Sequence, residues 1–355
     1  MSLKVKVPIA WFGAGSVVRH AAVVCEGGRV TYAGPSAASP PAEEFLEVDG
    51  FLMPGVADRH VHIRLADPGA VLVGGVTAVR DLAWAPDEIF ALANASELPT
   101  FTGPVIRAAG PMLTAPGGYP IASSWAPPGA GRELAGSEDA AAAVAELADR
   151  GAAAIKVSLN SEAGPTPSDA ELAAIVQAAH ERELPVTAHV QGAGQEERAI
   201  GAGMDEFAHT PWTERLSDLL LASAARSMRI VSTLDILSFG DVTPDLRTAC
   251  DNLARFRAAG GTVVYGTDLG NGSIPAGIHL REALLLHEAV RMTPEEVLSA
   301  MTAGLLVVGG PADLVVLGSD PLIRLEALGD LRVVVRAGRV VSASGYEPGR
   351  GPRPD

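Results

Sequence analysis

The sequence predicts an α/β fold: a (β/α)8 TIM barrel carrying a small β-sandwich domain that the two chain ends build together. Three observations predict it. Short apolar, strand-like runs alternate with Ala/Leu/Glu-rich helical stretches through the middle of the chain. Both ends show β-like runs separated by Gly, Pro and Ser turns, with no long helical stretch. The 355 residues suit one barrel of ~250 residues plus a smaller unit better than two equal halves.

In chain order, residues 4–9, 17–25, 29–32 and 45–48 are the first strand candidates. The middle supplies eight runs, at 56–62, 76–80, 105–109, 153–158, 186–190, 206–209, 229–233 and 262–266. Helical stretches at 139–150, 169–181, 196–202, 216–225 and 244–259 lie between the later runs. The longest irregular connection, 110–137, is rich in Gly and Pro and is expected to wall a site rather than act as a linker. Strand candidates at 312–317, 331–337 and 339–341 follow, around turns at Gly318-Ser319-Asp320-Pro321 and Ala337-Gly338. The expected division is a composite end domain of residues 1–49 and 305–355, with a barrel of residues 50–304. The tail 345–355, with Pro348, Pro352 and Pro354, is expected to fray.

Hydrophobic residues make up 48% of the chain and charged residues 19%, a balance that describes an ordered globular protein. Acidic residues outnumber basic ones by 42 to 27, giving a formal charge of −15. With no run of Lys and Arg, nucleic acid and anionic membranes are not expected partners. Cys25 and Cys250 lie far apart without a CxxC pair, which suggests neither a thiolate metal site nor a disulfide framework. No stretch has the apolar length of a membrane span and the N-terminus has no sustained apolar run, so a cytoplasmic location is expected. The expected partner is a small-molecule substrate, with self-association into a homo-oligomer left open.

The strongest local signal is Met53-Pro54-Gly55-Val56-Ala57-Asp58-Arg59-His60-Val61-His62. Residues i and i+2 of a strand point the same way, so His60 and His62 present two imidazoles side by side, a natural chelating pair. Imidazole suits zinc, iron and manganese alike, and the pair alone does not name the metal. Lys156, His189, His209 and Asp268 each fall near the end of a proposed barrel strand. That is the face where such barrels carry catalytic side chains, whereas a merely solvated His or Lys would sit on a helix or ordinary loop.

These motifs, taken in order, resemble the metal-dependent amidohydrolase superfamily, and within it the imidazolonepropionase-like and prolidase-like group. The likeness includes Gly75-Val76-Thr77-Ala78-Val79-Arg80-Asp81, Gly266-Thr267-Asp268 and the tail Ala312-Asp313-Leu314-Val315-Val316-Leu317, so it covers nearly the whole chain. The resemblance implies two divalent metal ions, with zinc expected: His60, His62 and Asp268 on one, His189 and His209 on the other. It further implies that Lys156 bridges them as an N6-carboxylated lysine, because an ammonium cannot ligate a cation whereas a carbamate offers two oxygens. Without the resemblance, Lys156 reads as a salt-bridged barrel lysine. The implied activity is hydrolysis of an amide, peptide-like, cyclic amide or ester bond by metal-activated hydroxide, with Asp268 as general base and then acid. No GxSxG elbow or cysteine motif offers a rival nucleophile.

Related sequences often carry Gly-Gly-His-Gly after the third strand and a His two residues beyond the fifth-strand ligand. This chain has Gly117-Gly118-Tyr119-Pro120 and Gln191 instead. Tyr119 either donates to the scissile carbonyl or packs its loop, and Gln191 either touches substrate or bonds a neighbour. Arg64 is a candidate for a substrate carboxylate, with pairing to Asp67 or Asp58 the other reading. Trp125, Trp212 and Asn271 fall in loops expected at the barrel mouth. His180 and His287 read as solvent-facing or helix-packing residues and His20 as part of the small β domain, while His279 is a further candidate to line the pocket. The stretch 301–311 is shorter than the usual connection and is expected to trim the junction between barrel and end domain. Two other functions stay in view: a mononuclear deaminase or dehalogenase of the same superfamily, which Lys156 and Gln191 disfavour, and a non-catalytic ligand-binding barrel, which a complete ligand set disfavours.

Overall fold

The computed structural model describes residues 2–13, 15–98, 100–346 and 349–350. Its eight central strands are β1 (Val56–Val61), β2 (Val76–Asp81), β3 (Val105–Ala108), β4 (Ile155–Asn160), β5 (Val186–Gln191), β6 (Glu206–Phe207), β7 (Arg229–Val231) and β8 (Thr262–Val264). β1 to β3 pair in parallel in one sheet, and β4 to β8 pair in parallel, in sequence order, in another. Backbone bonds join the two sheets on both sides. Ala153 N donates to Ala108 O at 2.8 Å; opposite, Arg59 N donates to Tyr265 O at 3.0 Å and Asp268 N to His60 O at 2.8 Å. The result is a TIM-barrel-like α/β arrangement whose strands are apolar on both faces because helices cover them outside and side chains fill them inside.

Two strand details differ from the sequence expectation. β4 begins at Ile155 and runs to Asn160 rather than spanning 153–158, so Lys156 is its second residue and not near its end. Part of the 110–137 connection is strand: Met112–Thr114 pairs in parallel with β4 through Leu113 and Val157, and Gly131–Glu133 pairs with Met112–Thr114. Both strands are short and flanked by Gly or Pro, which masks them in the sequence.

The helices between strands start where local chemistry dictates. Ser168 caps Asp169–His180 and Thr293 caps Pro294–Met301, each in a reciprocal box with Glu171 or Glu296 three residues on. Pro68, Pro86, Pro244 and Pro294 occupy first helical turns, where a missing N–H costs nothing. Apolar faces of these helices and the strand side chains form one large buried cluster.

Both chain ends meet in one nine-stranded sheet, in which Phe51–Pro54 lies between Ser2–Trp11 and Leu314–Leu317. Alternation divides its side chains. Leu52, Leu314, Val316, Val333 and Val335 join a core of the chain ends, while Phe51, Met53, Val315, Leu317 and Val334 face the main core. Within the tail expected to fray, Gly349–Arg350 instead pairs antiparallel with Phe45 and Glu44. Residues 347–348 and 351–355 of that tail lie outside the described residues. No helix among the described residues is long and apolar enough to cross a membrane.

Candidate metal centre

β1 carries His60 and is followed directly by His62, two residues on as the sequence pattern requires, and Asp268 lies in the segment after β8. Asp58 locks the two together. Its Oδ1 accepts from His60 N and Thr267 N, both at 3.0 Å, and its Oδ2 accepts from Thr267 Oγ1 at 2.5 Å. Burial pushes the Asp58 carboxyl up to about 7 against these bonds. Asp268 itself holds a φ of 58°, in the left-handed region that Asp enters more readily than most residues with a side chain. Gly266 lets β8 approach β1: a Cβ there would lie 2.3 Å from Val231 Cγ1 and 3.1 Å from His60 N.

The ligand atoms of His60, His62 and Asp268 lie within 4.8 Å of one another, and all three residues are buried. Asp268 Oδ1 is 3.4 Å from His60 Nε2 and 3.2 Å from His62 Nε2. His60 Nδ1 sits 2.6 Å from Ala208 O, so this nitrogen carries the proton and Nε2 keeps its lone pair. His62 Nδ1 faces Ala83 O at 3.3 Å and His209 Nδ1 faces Thr233 Oγ1 at 2.9 Å, which orients both rings from behind. The rings of His60 and His209 are 4.3 Å apart at their centroids and those of His189 and His209 4.9 Å, so the four imidazoles form one continuous cluster.

Electrostatics keep most of that cluster neutral. Burial, then the Lys156 charge, holds His60 well below its ordinary range and pushes His189 down to about 3; burial and then His189 hold His209 low as well. For His62 burial acts downward too, but the nearby carboxylates of Asp268 and Asp81 outweigh it and the net direction is upward. Lys156 is fully buried and burial lowers it to about 7, with Asp268 and Glu206 pulling the other way. Three buried polar atoms at this centre have no hydrogen-bond partner: His60 Nε2, Lys156 Nζ and Asp268 Oδ1. Orphaned donors and acceptors of this kind cost about 1–3 kcal/mol each when left unsatisfied, and a cation bound among them answers the acceptors.

The amidohydrolase family profile matches residues 51–341. The chain belongs to the amidohydrolase family. Among curated proteins this family member is 45% identical to an imidazolonepropionase of Caulobacter vibrioides over 53 residues, a stretch spanning 13% of that relative's length and 14% of this chain. Among solved structures it is similar to the A. niger ochratoxinase, with a TM-score of 0.81 at 22% identity over 97% of this chain and 96% of that one. A putative prolidase from Bifidobacterium longum superposes with a TM-score of 0.78 at 26% identity over 96% and 93% of the two chains.

A cavity of about 260 Å³ opens onto the family's metal-type cluster, and His62, His189, His209 and Asp268 form its floor. Five of the six residues read as substrate contacts line it: Tyr119, Trp125, Gln191, Trp212 and Asn271. The sixth, Arg64, does not; its Nη2 bonds Glu88 Oε2 at 3.0 Å, and neither Asp67 nor Asp58 is its partner. Tyr119 stacks on His189 with centroids 5.0 Å apart, and its Oη accepts from Trp125 Nε1 at 3.1 Å. Burial and the Asp268 charge raise its phenol to about 12, so it stays protonated and its O–H remains available to donate. Gln191 accepts from Asn160 Nδ2 and donates to Glu162 Oε2, both at 2.8 Å. His279 points away from the cavity, bonding Asp235 at 2.8 Å.

Sequence reasoning missed Asn160, whose Nδ2 is 3.4 Å from His189 Nε2. The signal was present, since 156, 158 and 160 share one face of a strand. It also missed the apolar wall of Leu65, Met112, Ile236 and Leu237, which nothing local distinguishes from ordinary core residues.

Proposed function

We propose that this chain is a binuclear-metal hydrolase that cleaves an amide, cyclic amide, carbamate or ester bond in a small, uncharged substrate. The observation that carries it is the set of three orphaned buried atoms, His60 Nε2, Lys156 Nζ and Asp268 Oδ1, among four imidazoles. His60, His62 and Asp268 would hold one ion, and His189 and His209 the second. Lys156, fully buried and lowered to about 7, has an amine available to form an N–C bond to CO₂ with loss of one proton; the resulting carbamate would bridge the two sites. When bound, the ions supply activation of a water and polarisation of the scissile carbonyl.

The chain's own groups do the rest. The Asp268 carboxylate takes the proton of the attacking water at Oδ1 and delivers it to the leaving group. Asn271 Nδ2, 3.3 Å from Asp268 Oδ2, steadies that carboxylate. The Tyr119 phenol donates to the carbonyl oxygen as negative charge develops there. Trp125, Trp212 and the apolar wall exclude bulk water, so these interactions act in a low dielectric. No Lys or Arg is among the residues lining the cavity, and the nearby Arg64 is held by Glu88. A substrate carboxylate would therefore meet Asp268 without a side-chain cation to receive it. The volume, about 260 Å³, lies just below the ~300–1,000 Å³ usual for ligand sites, which favours a small substrate.

We read the seam hydrogen bonds as closing β1 to β8 into a (β/α)8 barrel, and the separate core of the chain ends as that of a composite sandwich domain. A second reading of the centre is mononuclear, because among the described His, Cys, Asp and Glu residues His60, His62 and Asp268 alone place their ligand atoms within 4.8 Å of one another. Metal analysis of protein prepared without chelator, with a screen of neutral N-acyl amides, carbamates and lactones beside free dipeptides, decides between them. Two metals per chain, loss of most metal in Lys156→Ala and turnover confined to the neutral compounds are expected. One metal retained in Lys156→Ala would overturn the bridge; turnover of free dipeptides alone would overturn the substrate class.

A further inference from the structure

A second cavity, of about 1050 Å³, lies away from the metal cluster, at the base of the strands where they meet the end sheet. Its position follows from its lining: Ala57 to Arg59 of β1, Ala78 to Arg80 of β2, Val105 of β3 and Arg229 of β7 come from strand starts or reverse faces, while Gly28, Asp313 and Gly338 come from the end sheet and its turns. The charge there is opposite to that of the whole protein. Arg59, Arg80, Arg107 and Arg229 reach it from the strands, and Arg29, Arg336 and Arg339 from the chain ends. These seven guanidiniums meet four carboxylates, Asp58, Glu97 and Asp313 of the lining and Glu206 behind it, an excess of three positive charges in a chain whose formal charge is −15.

The protein neutralises only some of them. Glu206 pairs with Arg80 and, at 2.6 Å, with Arg229, and Glu97 pairs with Arg107. The other four make no salt bridge among the described residues, although the charge of Asp58 reaches Arg59 and that of Asp313 reaches Arg336. Arg29 Nη1 donates to Gly309 O at 2.8 Å, Arg59 Nη2 to Thr302 O at 3.0 Å and Arg336 Nη2 to Ser96 O at 2.5 Å, all neutral carbonyls. The Arg339 side chain makes no hydrogen bond or ion pair among the described residues, its backbone being paired with that of Arg336. Arg336 is only 7% exposed, yet its Nε has no acceptor. A buried guanidinium with an unused N–H, in a cavity with three further uncompensated guanidiniums, is the donor set that a multiply charged oxyanion satisfies through bidentate bonds.

We propose that this cavity binds a diphosphate or triphosphate group, free or carried by a nucleotide. The charge of such a group, about −3 to −4 at neutral pH when two or three phosphates ionise, matches the excess of three positive charges, whereas a single carboxylate leaves most of it unanswered. The cavity has room for an attached nucleoside. Its placement at the opposite end from the cluster separates it from hydrolysis, so occupancy fixes the end sheet against the strand bases rather than taking part in bond cleavage.

Calorimetric titration of the metal-loaded full chain with inorganic pyrophosphate, and separately with ADP, tests this. Three proteins are compared: the parent, a double variant Arg29→Ser/Arg339→Ser and Lys156→Ala. Arg29 and Arg339 are exposed, so their replacement leaves the fold intact. Expected are one equivalent bound by the parent, at least tenfold weaker binding by the double variant, and unchanged binding by Lys156→Ala. Uptake of ADP assigns the site to a nucleotide and uptake of pyrophosphate alone to the bare group; either upholds the proposal. Absence of binding overturns it. So does binding lost in Lys156→Ala but kept in the double variant, which would mark chelation at the metal centre.

Discussion

Glu196 offers a clean measurement of what burial does in this fold. It stands on the helix Gln195–Gly201, is 0% exposed, and neither carboxylate oxygen has a hydrogen-bond partner. Burial, reinforced by Glu214 and Glu197, pushes its pKa from 4.5 to about 7. Below pH 4.5 the folded and unfolded chains both hold the proton and the group contributes nothing. Between 4.5 and about 7 the unfolded chain releases it while the folded chain keeps it, so stability falls as pH rises, and above 7 the loss is complete. At 1.36 kcal/mol per pKa unit, that loss is roughly 3 kcal/mol. Glu196→Gln cannot ionise, so it removes this pH dependence whatever its fixed cost in amide desolvation. Urea unfolding of both proteins at pH 4.5 and pH 8, with metal held constant, should show the variant gaining roughly 3 kcal/mol on the parent between the two pH values. An unchanged difference across that window would refute the argument.

Tyr119→Phe should lower kcat by about 10²–10³-fold with little change in KM or metal content, as removal of a donor to a developing oxyanion does in steady-state kinetics. Arg64→Ala should leave kcat/KM for neutral substrates within about twofold, because the Arg64 guanidinium is engaged by exposed Glu88, and exposed pairs contribute only about 0–1 kcal/mol. Gly266→Ala should cost about 1–3 kcal/mol in chemical unfolding and reduce metal content, since the new Cβ is driven against Val231 and the His60 backbone.

The sequence showed the metal-type cluster well because its signals are local: His60 and His62 obey the strand period, and His189, His209 and Asp268 follow short apolar runs. The position of Lys156 was less legible. Its long stem lets a residue at the start of β4 act electrostatically on His60, His189 and His209, so strand-end placement was not needed. Arg64 was misleading for a related reason. Its spacing from His62 suggested the mouth, but the short helix Ile63–Leu65 turns the chain and delivers the guanidinium to Glu88, 24 residues away. The arginine cavity left no sequence trace at all. Its members run from Arg29 to Arg339 singly, and only the joining of both chain ends to the strand bases brings them together.

The two cavities therefore differ in charge for a connected reason. Under the proposed function Lys156 offers a neutral amine and the histidines a lone pair, and burial lowers Lys156, His60, His189 and His209 toward those states. The guanidiniums that line the second cavity gather at the strand bases, and Glu206 holds two of them. Its carboxylate is 1% exposed and binds Arg80, Arg229 at 2.6 Å and Thr187 Oγ1 at 2.7 Å. The two arginines, with burial opposing them, hold Glu206 below its ordinary range, so it stays ionised. Lys156 feels both sides of this arrangement: Arg80 pushes its pKa down and Glu206 pulls it up, with burial the larger influence. A buried ion pair adds little net stability relative to apolar packing. Here its consequence is positional, fixing Arg80 at the base, where its charge reaches Lys156 as one lesser influence among several and the wall of the catalytic cavity stays free of guanidinium.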